Sequence, residues 1–210
     1  MTHARLASWN CRSLLHFRAD RRKKKVRKVI SLAAPNAAVA LQEVRGTIPE
    51  LEALLRPLAK THTVFASLVH GASAGGVATL LPLVCRGALH ARALVPGRVL
   101  RIVWKEGDKT WIHWNVHNFG LTDADLFRVE ALLRCDIRDA AASPGDVSLF
   151  AAGDWNFTPD GAPRVFWIRA KGQGAGRPLT SVPQACHPNQ MSCRTLPVFD
   201  TMLVLVSFVF

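Results

Sequence analysis

The segment Gly153-Asp154-Trp155-Asn156-Phe157-Thr158 holds the residue types most able to do chemistry. It follows an apolar run, residues 147–152, which reads as a buried strand. A strand ending in Gly, Asp and then Asn delivers polar side chains to the rim of a sheet. An Asp there can bind a hard cation or move a proton. An Asn one pleat further on can donate to a phosphate oxygen. Gly, Asp and Asn are also ordinary turn formers, so a plain β-turn is the competing reading.

Three other segments share this layout of apolar strand and polar tip. Leu6-Ala7-Ser8-Trp9 ends in Asn10, residues 37–41 end in Gln42-Glu43, and Trp111-Ile112-His113-Trp114 ends in Asn115-Val116-His117. The tips together offer Asn10, Glu43, Asn115, His117, Asp154 and Asn156: two carboxylates, an imidazole and three amides. Such a set suits a divalent metal bound to phosphate oxygens. Glu43 is the best ligand candidate. It closes an apolar strand two residues before Arg45, and one carboxylate with waters and substrate oxygens is a usual Mg²⁺ arrangement. A surface Glu at a strand end is the alternative.

The order Trp-Asn, Leu-Gln-Glu, Gly-Gly-Val, Asn-Val-His, Gly-Asp-Trp-Asn, running from about residue 5 to residue 160, resembles the endonuclease/exonuclease/phosphatase superfamily. That group includes pancreatic deoxyribonuclease, abasic-site and retrotransposon endonucleases, inositol-polyphosphate phosphatases and neutral sphingomyelinases. The Asn-Val-His form resembles the branch with Asn-x-His rather than Tyr, and this chain has no Tyr. The resemblance implies Mg²⁺ or Mn²⁺ at Glu43, with Asn10 orienting Glu43 or a metal-bound water. It implies His117 on the scissile phosphate or in proton transfer, Asp154 as acid or base, and Asn156 and Asn115 on substrate oxygens. All should meet at one end of the sheets, with Glu43 within about 10 Å of Asp154, the reach of one hydrated Mg²⁺.

One departure matters. The family closes with a Ser-Asp-His motif whose His helps to activate water, and no Ser-Asp-His occurs here. The last His, His187, lies in Ala185-Cys186-His187-Pro188, which does not resemble it. Residues 198–204 resemble the penultimate strand of the family, so the sequence reads as truncated or diverged before its last catalytic element.

The elements that must carry these tips read as one α/β domain over residues 1–210, without repeats. A basic helix follows Arg18, with Val26, Val29, Ile30 and Ala33 as its apolar stripe. Thr47-x-x-Glu50 and Thr122-x-x-Asp125 are capping boxes that start two further helices. Strands are expected near residues 64–68 and 77–84, and a hairpin over 98–105 and 110–116. Residues 141–146 and 169–194 read as loops. Two sheets packed face to face with helices outside, a four-layer sandwich lacking its last strand, is what the resemblance adds. The terminal apolar run, 202–210, is too short to cross a membrane.

Composition narrows the partners. Of the residues, 49% are hydrophobic and the net charge is +12, which indicates a folded core and a polyanionic partner. Eight basic residues lie between Arg18 and Lys28. Arg21, Arg22, Lys23, Lys24, Lys25, Arg27 and Lys28 are candidates for phosphate-backbone contact, a solvated helix face being the alternative. Five scattered cysteines without Cys-x-x-Cys argue against a disulfide scaffold. Cys186, His187 and Cys193 lack a fourth zinc ligand. With no signal peptide, an intracellular address is expected, the nucleus included. The reading is a Mg²⁺-dependent phosphodiesterase acting on nucleic acid, weak or inactive without the terminal His. The alternatives are a catalytically dead nucleic-acid binder, or a phosphatase- or sphingomyelinase-type member of the same superfamily.

Overall fold

The computed structural model describes residues 6–15, 17–34, 37–69, 75–83, 89–106, 108–143, 145–154, 165–169 and 203–207. Two sheets form. The first, in the order β1-β2-β4-β3, comprises β1 (Leu6–Asn10), β2 (Ala38–Gln42), β3 (His62–Ser67) and β4 (Val77–Pro82). The second, in the order β5-β6-β7-β8-β10-β9, comprises β5 (Leu89–Val95), β6 (Val99–Glu106), β7 (Lys109–His117), β8 (Val147–Asp154), β9 (Val165–Arg169) and β10 (Leu203–Ser207).

Helices α1 (Ala19–Ala33) and α2 (Ile48–Leu55) cover the first sheet, and α3 (Asp123–Ala142) covers the second. Val29 and Ala33 of α1 and Leu51 and Leu55 of α2 are buried against the side chains of β2 and β4. Pro35 follows α1 and disfavours a helical residue before it; Ala34 is accordingly extended. Both capping boxes form, with the Thr47 hydroxyl accepting from the Glu50 N–H and the Thr122 hydroxyl from the Asp125 N–H. The third helix continues to Ala142, so the loop expected from residue 141 begins after Ala142. The edge strand β5 was not anticipated.

Strand alternation divides the core. Ile112, Trp114 and Val116 of β7 face α3, while Val77, Leu81, Leu100, Ile102 and Trp104 pack between the sheets. Nearer the site the space between the sheets is polar. Asn115 Nδ2 donates to the carbonyls of Leu41 and Ala78 at 3.2 and 2.8 Å, and Asn115 Oδ1 accepts from Gln42 Nε2 at 2.8 Å. These bonds tie β7 to β2 and β4 and fix how the sheets are stacked. The apolar C-terminal run supplies β10, parallel to β8 and antiparallel to β9.

Under α3, Asp136 accepts from Arg101 Nε and Nη2 at 2.7 and 2.6 Å and from the Trp114 indole at 2.8 Å. Asp136 is only 8% exposed, so deleting it strands a largely buried guanidinium and an indole N–H. Asp136→Ala should lower the unfolding free energy by about 2–3 kcal/mol, read as a shift of the urea midpoint.

Candidate active site

The two sheets bring their strand tips together at one end. The parallel pair β1–β2 ends with Asn10 opposite Gln42, and the parallel pair β7–β8 ends with His117 opposite Asp154. Gly153 is needed for that second ending. A Cβ there would lie 1.9 Å from the Val116 carbonyl oxygen, so only glycine lets β8 run this close to β7.

The Asn10 amide joins the sheets at the tip. Its Nδ2 donates to Glu43 Oε1 at 2.8 Å and to Asp154 Oδ2 at 2.5 Å. Its Oδ1 accepts from the Arg12 N–H at 2.9 Å. One amide thus holds two carboxylates from different sheets, which satisfies both but leaves their charges close together. Ligand atoms of Glu43, His117 and Asp154 lie within 4.8 Å of one another. Two half-buried carboxylates at that spacing are a hard, oxygen-rich donor set that fits a divalent cation such as Mg²⁺. The cation would also relieve the repulsion between them.

His117 is buried, and its Nε2 sits 3.9 Å from Glu43 Oε1. Burial, then the neighbouring Arg98 guanidinium, lowers its pKa, and Glu43 and Asp154 oppose that shift. The imidazole is therefore neutral near pH 7. One pleat deeper, Asn115 shares the face of His117 but is fully buried, its amide consumed by the bonds between the sheets. The sequence-based role for Asn115 on a substrate oxygen is replaced by a bracing role, because no donor of its amide points to the tip. His113, deeper again, is enclosed without a polar partner, and burial pushes its pKa down to about 4.

The loops leaving β1 and β2 are strained. Arg12, Ser13, Glu43 and Arg45 all have positive φ, from 46° to 69°, a conformation that costs side-chain-bearing residues of order 1–3 kcal/mol each. Backbone bonds hold them there: Ser13 N–H to Glu43 O at 2.8 Å, Val44 N–H to Gly76 O at 3.0 Å and Arg45 N–H to Gly75 O at 3.1 Å. Lys25 on α1 completes the clamp, its Nζ donating to the carbonyls of Cys11, Arg12 and Ser13. Arg45 Nη2 lies 3.4 Å from Glu43 Oε2.

These loops and one face of α1 form an open basic pocket lined by Arg12, Ser13, Arg21, Lys24, Lys25 and Arg45. Of the basic residues singled out on α1, Arg21, Lys24 and Lys25 line this pocket, and Arg22, Lys23, Arg27 and Lys28 are not among its lining residues. Lys25 differs from the others in that its ammonium already serves three carbonyls. Among the described residues Asn10, Glu43, His117 and Asp154 converge. Asn156, Trp155, His187, Cys186 and Cys193 lie outside the described residues, as does nearly all of the 169–194 segment. Arg98, whose Nη1 reaches His117 Nδ1 at 2.9 Å, was missed by sequence reasoning; following Pro96-Gly97, it looks like any turn cation.

Two packed mixed sheets with helices on their outer faces are also the fold of several solved structures of low sequence identity to this chain. Solved structures with this fold include TDP2 from Caenorhabditis elegans, at 17% identity and a TM-score of 0.53, covering 77% of this chain and 51% of that chain. A truncated form of the same protein matches at 16% identity and 0.53, covering 77% of this chain and 67% of that chain. The chain thus spans about half the length of the first of these. No protein-family model matches the sequence, and no curated protein matches it significantly. No helix among the described residues is long and apolar enough to cross a membrane.

The two lysines of the pocket should separate by experiment. Lys25→Met removes three backbone acceptors' partner and should cost about 1–3 kcal/mol in urea unfolding. Lys24→Ala should leave stability within about 0.5 kcal/mol. In a DNA-binding titration it should instead flatten the log-affinity against log-salt slope by about 1.

Proposed function

We propose that the chain is a divalent-metal-dependent phosphodiesterase acting on nucleic acid. The observation that carries this reading is the Asn10 amide holding Glu43 and Asp154 together across two sheets, with His117 beside them. The fold supports it, since the same architecture is that of a superfamily of phosphoester hydrolases. The +12 charge and the basic pocket beside Glu43 favour a polyanionic substrate.

Glu43 and Asp154 would hold Mg²⁺ or Mn²⁺, which when bound supplies Lewis-acid charge to a phosphate oxygen. Asn10 keeps the Glu43 carboxylate turned to the site. Asp154 accepts a proton from the attacking water. His117, buried and neutral, donates to a non-bridging or leaving oxygen of the phosphate, and Asn156 is assigned to a second oxygen. Arg12, Arg21 and Lys24 hold the flanking backbone by charge, without reading sequence. A nuclear or other intracellular setting accords with such a substrate.

The test is nicking of supercoiled plasmid and cleavage of labelled RNA and DNA oligonucleotides, in Mg²⁺ and in EDTA. Cleavage should require the metal, vanish in Glu43→Ala and fall about 10²–10⁴-fold in Asp154→Asn. Salt-sensitive binding without cleavage would overturn the hydrolase in favour of a nucleic-acid-binding module. Independently of turnover, Mg²⁺ at about 100 times its Kd should stabilise the wild-type fold by about 2.7 kcal/mol. The same thermal melt of Glu43→Ala should not respond.

A further inference from the structure

Arginine has donors only. The 2.9 Å contact between Arg98 Nη1 and His117 Nδ1 therefore makes Nδ1 the acceptor. A neutral imidazole that accepts at Nδ1 carries its proton at Nε2, and Nε2 is the nitrogen that faces Glu43.

The guanidinium is built into its place. Arg98 and His117 are also joined through the backbone, the His117 N–H donating to Arg98 O at 2.8 Å. A Cβ at Gly75 would lie 3.3 Å from Cζ and Nη1 of Arg98, and one at Gly120 would lie 3.3 Å from Nη2. The two glycines thus form a slot that the planar group fills. The Phe119 ring covers it at 5.7 Å from Cζ and stacks on His117 with centroids 6.1 Å apart.

We infer that Arg98 is a positioning residue that locks His117 as its Nε2–H tautomer, making this imidazole a hydrogen-bond donor to the phosphate and not a ligand of the metal. Of the three groups that cluster at the tip, Glu43 and Asp154 alone are then left to bind the cation. Coordination through Nε2 would require either loss of that proton or a ring that accepts nothing at Nδ1, and Arg98 blocks the second route. The phosphate half of this inference rests on the function proposed above; the tautomer does not.

The experiment is long-range ¹H–¹⁵N NMR on histidine-labelled protein, with His117 assigned by its absence in His117→Gln. In the metal-free wild type Nδ1 should be unprotonated and Nε2 protonated, and Mg²⁺ should leave that pattern in place. Arg98→Met, which keeps the apolar stem, should shift population toward the Nδ1–H form. On an oligonucleotide it should lower kcat by about 10–100-fold, as is usual when a partner behind an active-site group is removed, with KM nearly unchanged. Arg98→Lys retains a donor and should restore the tautomer and most of kcat. A wild-type Nδ1–H signal, or an Arg98→Met protein with unchanged tautomer and kcat, would overturn the assignment. The spectrum needs neither metal nor cleavage, so failure of the hydrolase reading and failure of this one are separable.

Discussion

The Asn115 amide decides how the two sheets meet. Its side chain accepts from Gln42 and donates to the carbonyls of Leu41 and Ala78, so β7 is pinned to both inner strands of the opposite sheet. Dispersion and the hydrophobic effect hold sheets together without fixing their registration, because apolar contact is non-directional. Hydrogen bonds in an enclosed space are directional, and leaving one unmade costs about 1–3 kcal/mol. With Asn115 seated, Asn10 and Glu43 from one sheet must face His117 and Asp154 from the other. A slip of one pleat would break the brace and separate the carboxylates together.

The strained loops make sense against that rigid frame. Four residues with positive φ surround the tip, and each would relax if its hydrogen bonds were lost. The Lys25 ammonium gathers three carbonyls that would otherwise point at one another, and the glycines at 75 and 76 offer their carbonyls to Arg45 and Val44. The result is an arginine, Arg45, turned back onto the glutamate two residues before it. The site's charges are thus fixed before any substrate arrives, so little reorganisation is left for the bound state.

Much of this was legible in the sequence wherever the signal is local. Apolar runs ending in polar tips marked β1, β2, β7 and β8, because burial and chain reversal follow from neighbouring residues. Thr47 with Glu50 and Thr122 with Asp125 marked two helix starts for the same reason. What was not legible depends on residues distant in the chain. Asn115 and His117 look equivalent on one strand face; only the opposite sheet shows that one is consumed by the core and the other reaches the tip. Lys25 is one of eight basic residues in a run, and its bond to the β1–α1 loop has no sequence signature. Arg98 pairs across a hairpin with His117, and nothing in Gly97-Arg98-Val99 announces it. The edge strand β5 alternates apolar and polar residues, but the short Leu89–Val95 segment adds no tip residue and was overlooked.

The division of the sheets along the chain has its own outcome. Every strand of the first sheet lies before residue 83 and every strand of the second lies after residue 88, yet each sheet supplies half of the tip: Asn10 and Glu43 from one, His117 and Asp154 from the other. During synthesis the amino-terminal half can complete its own hydrogen-bond ladder before the second half of the tip exists. A nascent chain would carry the basic pocket of α1, able to attract polyanions, while lacking the second carboxylate beside Glu43. Only docking of the later half brings Asp154 beside Glu43, so the carboxylate pair is the last part of the tip to assemble. The same division makes it a natural candidate for reconstitution from two separately made pieces, with the joined carboxylates reporting that the halves have met.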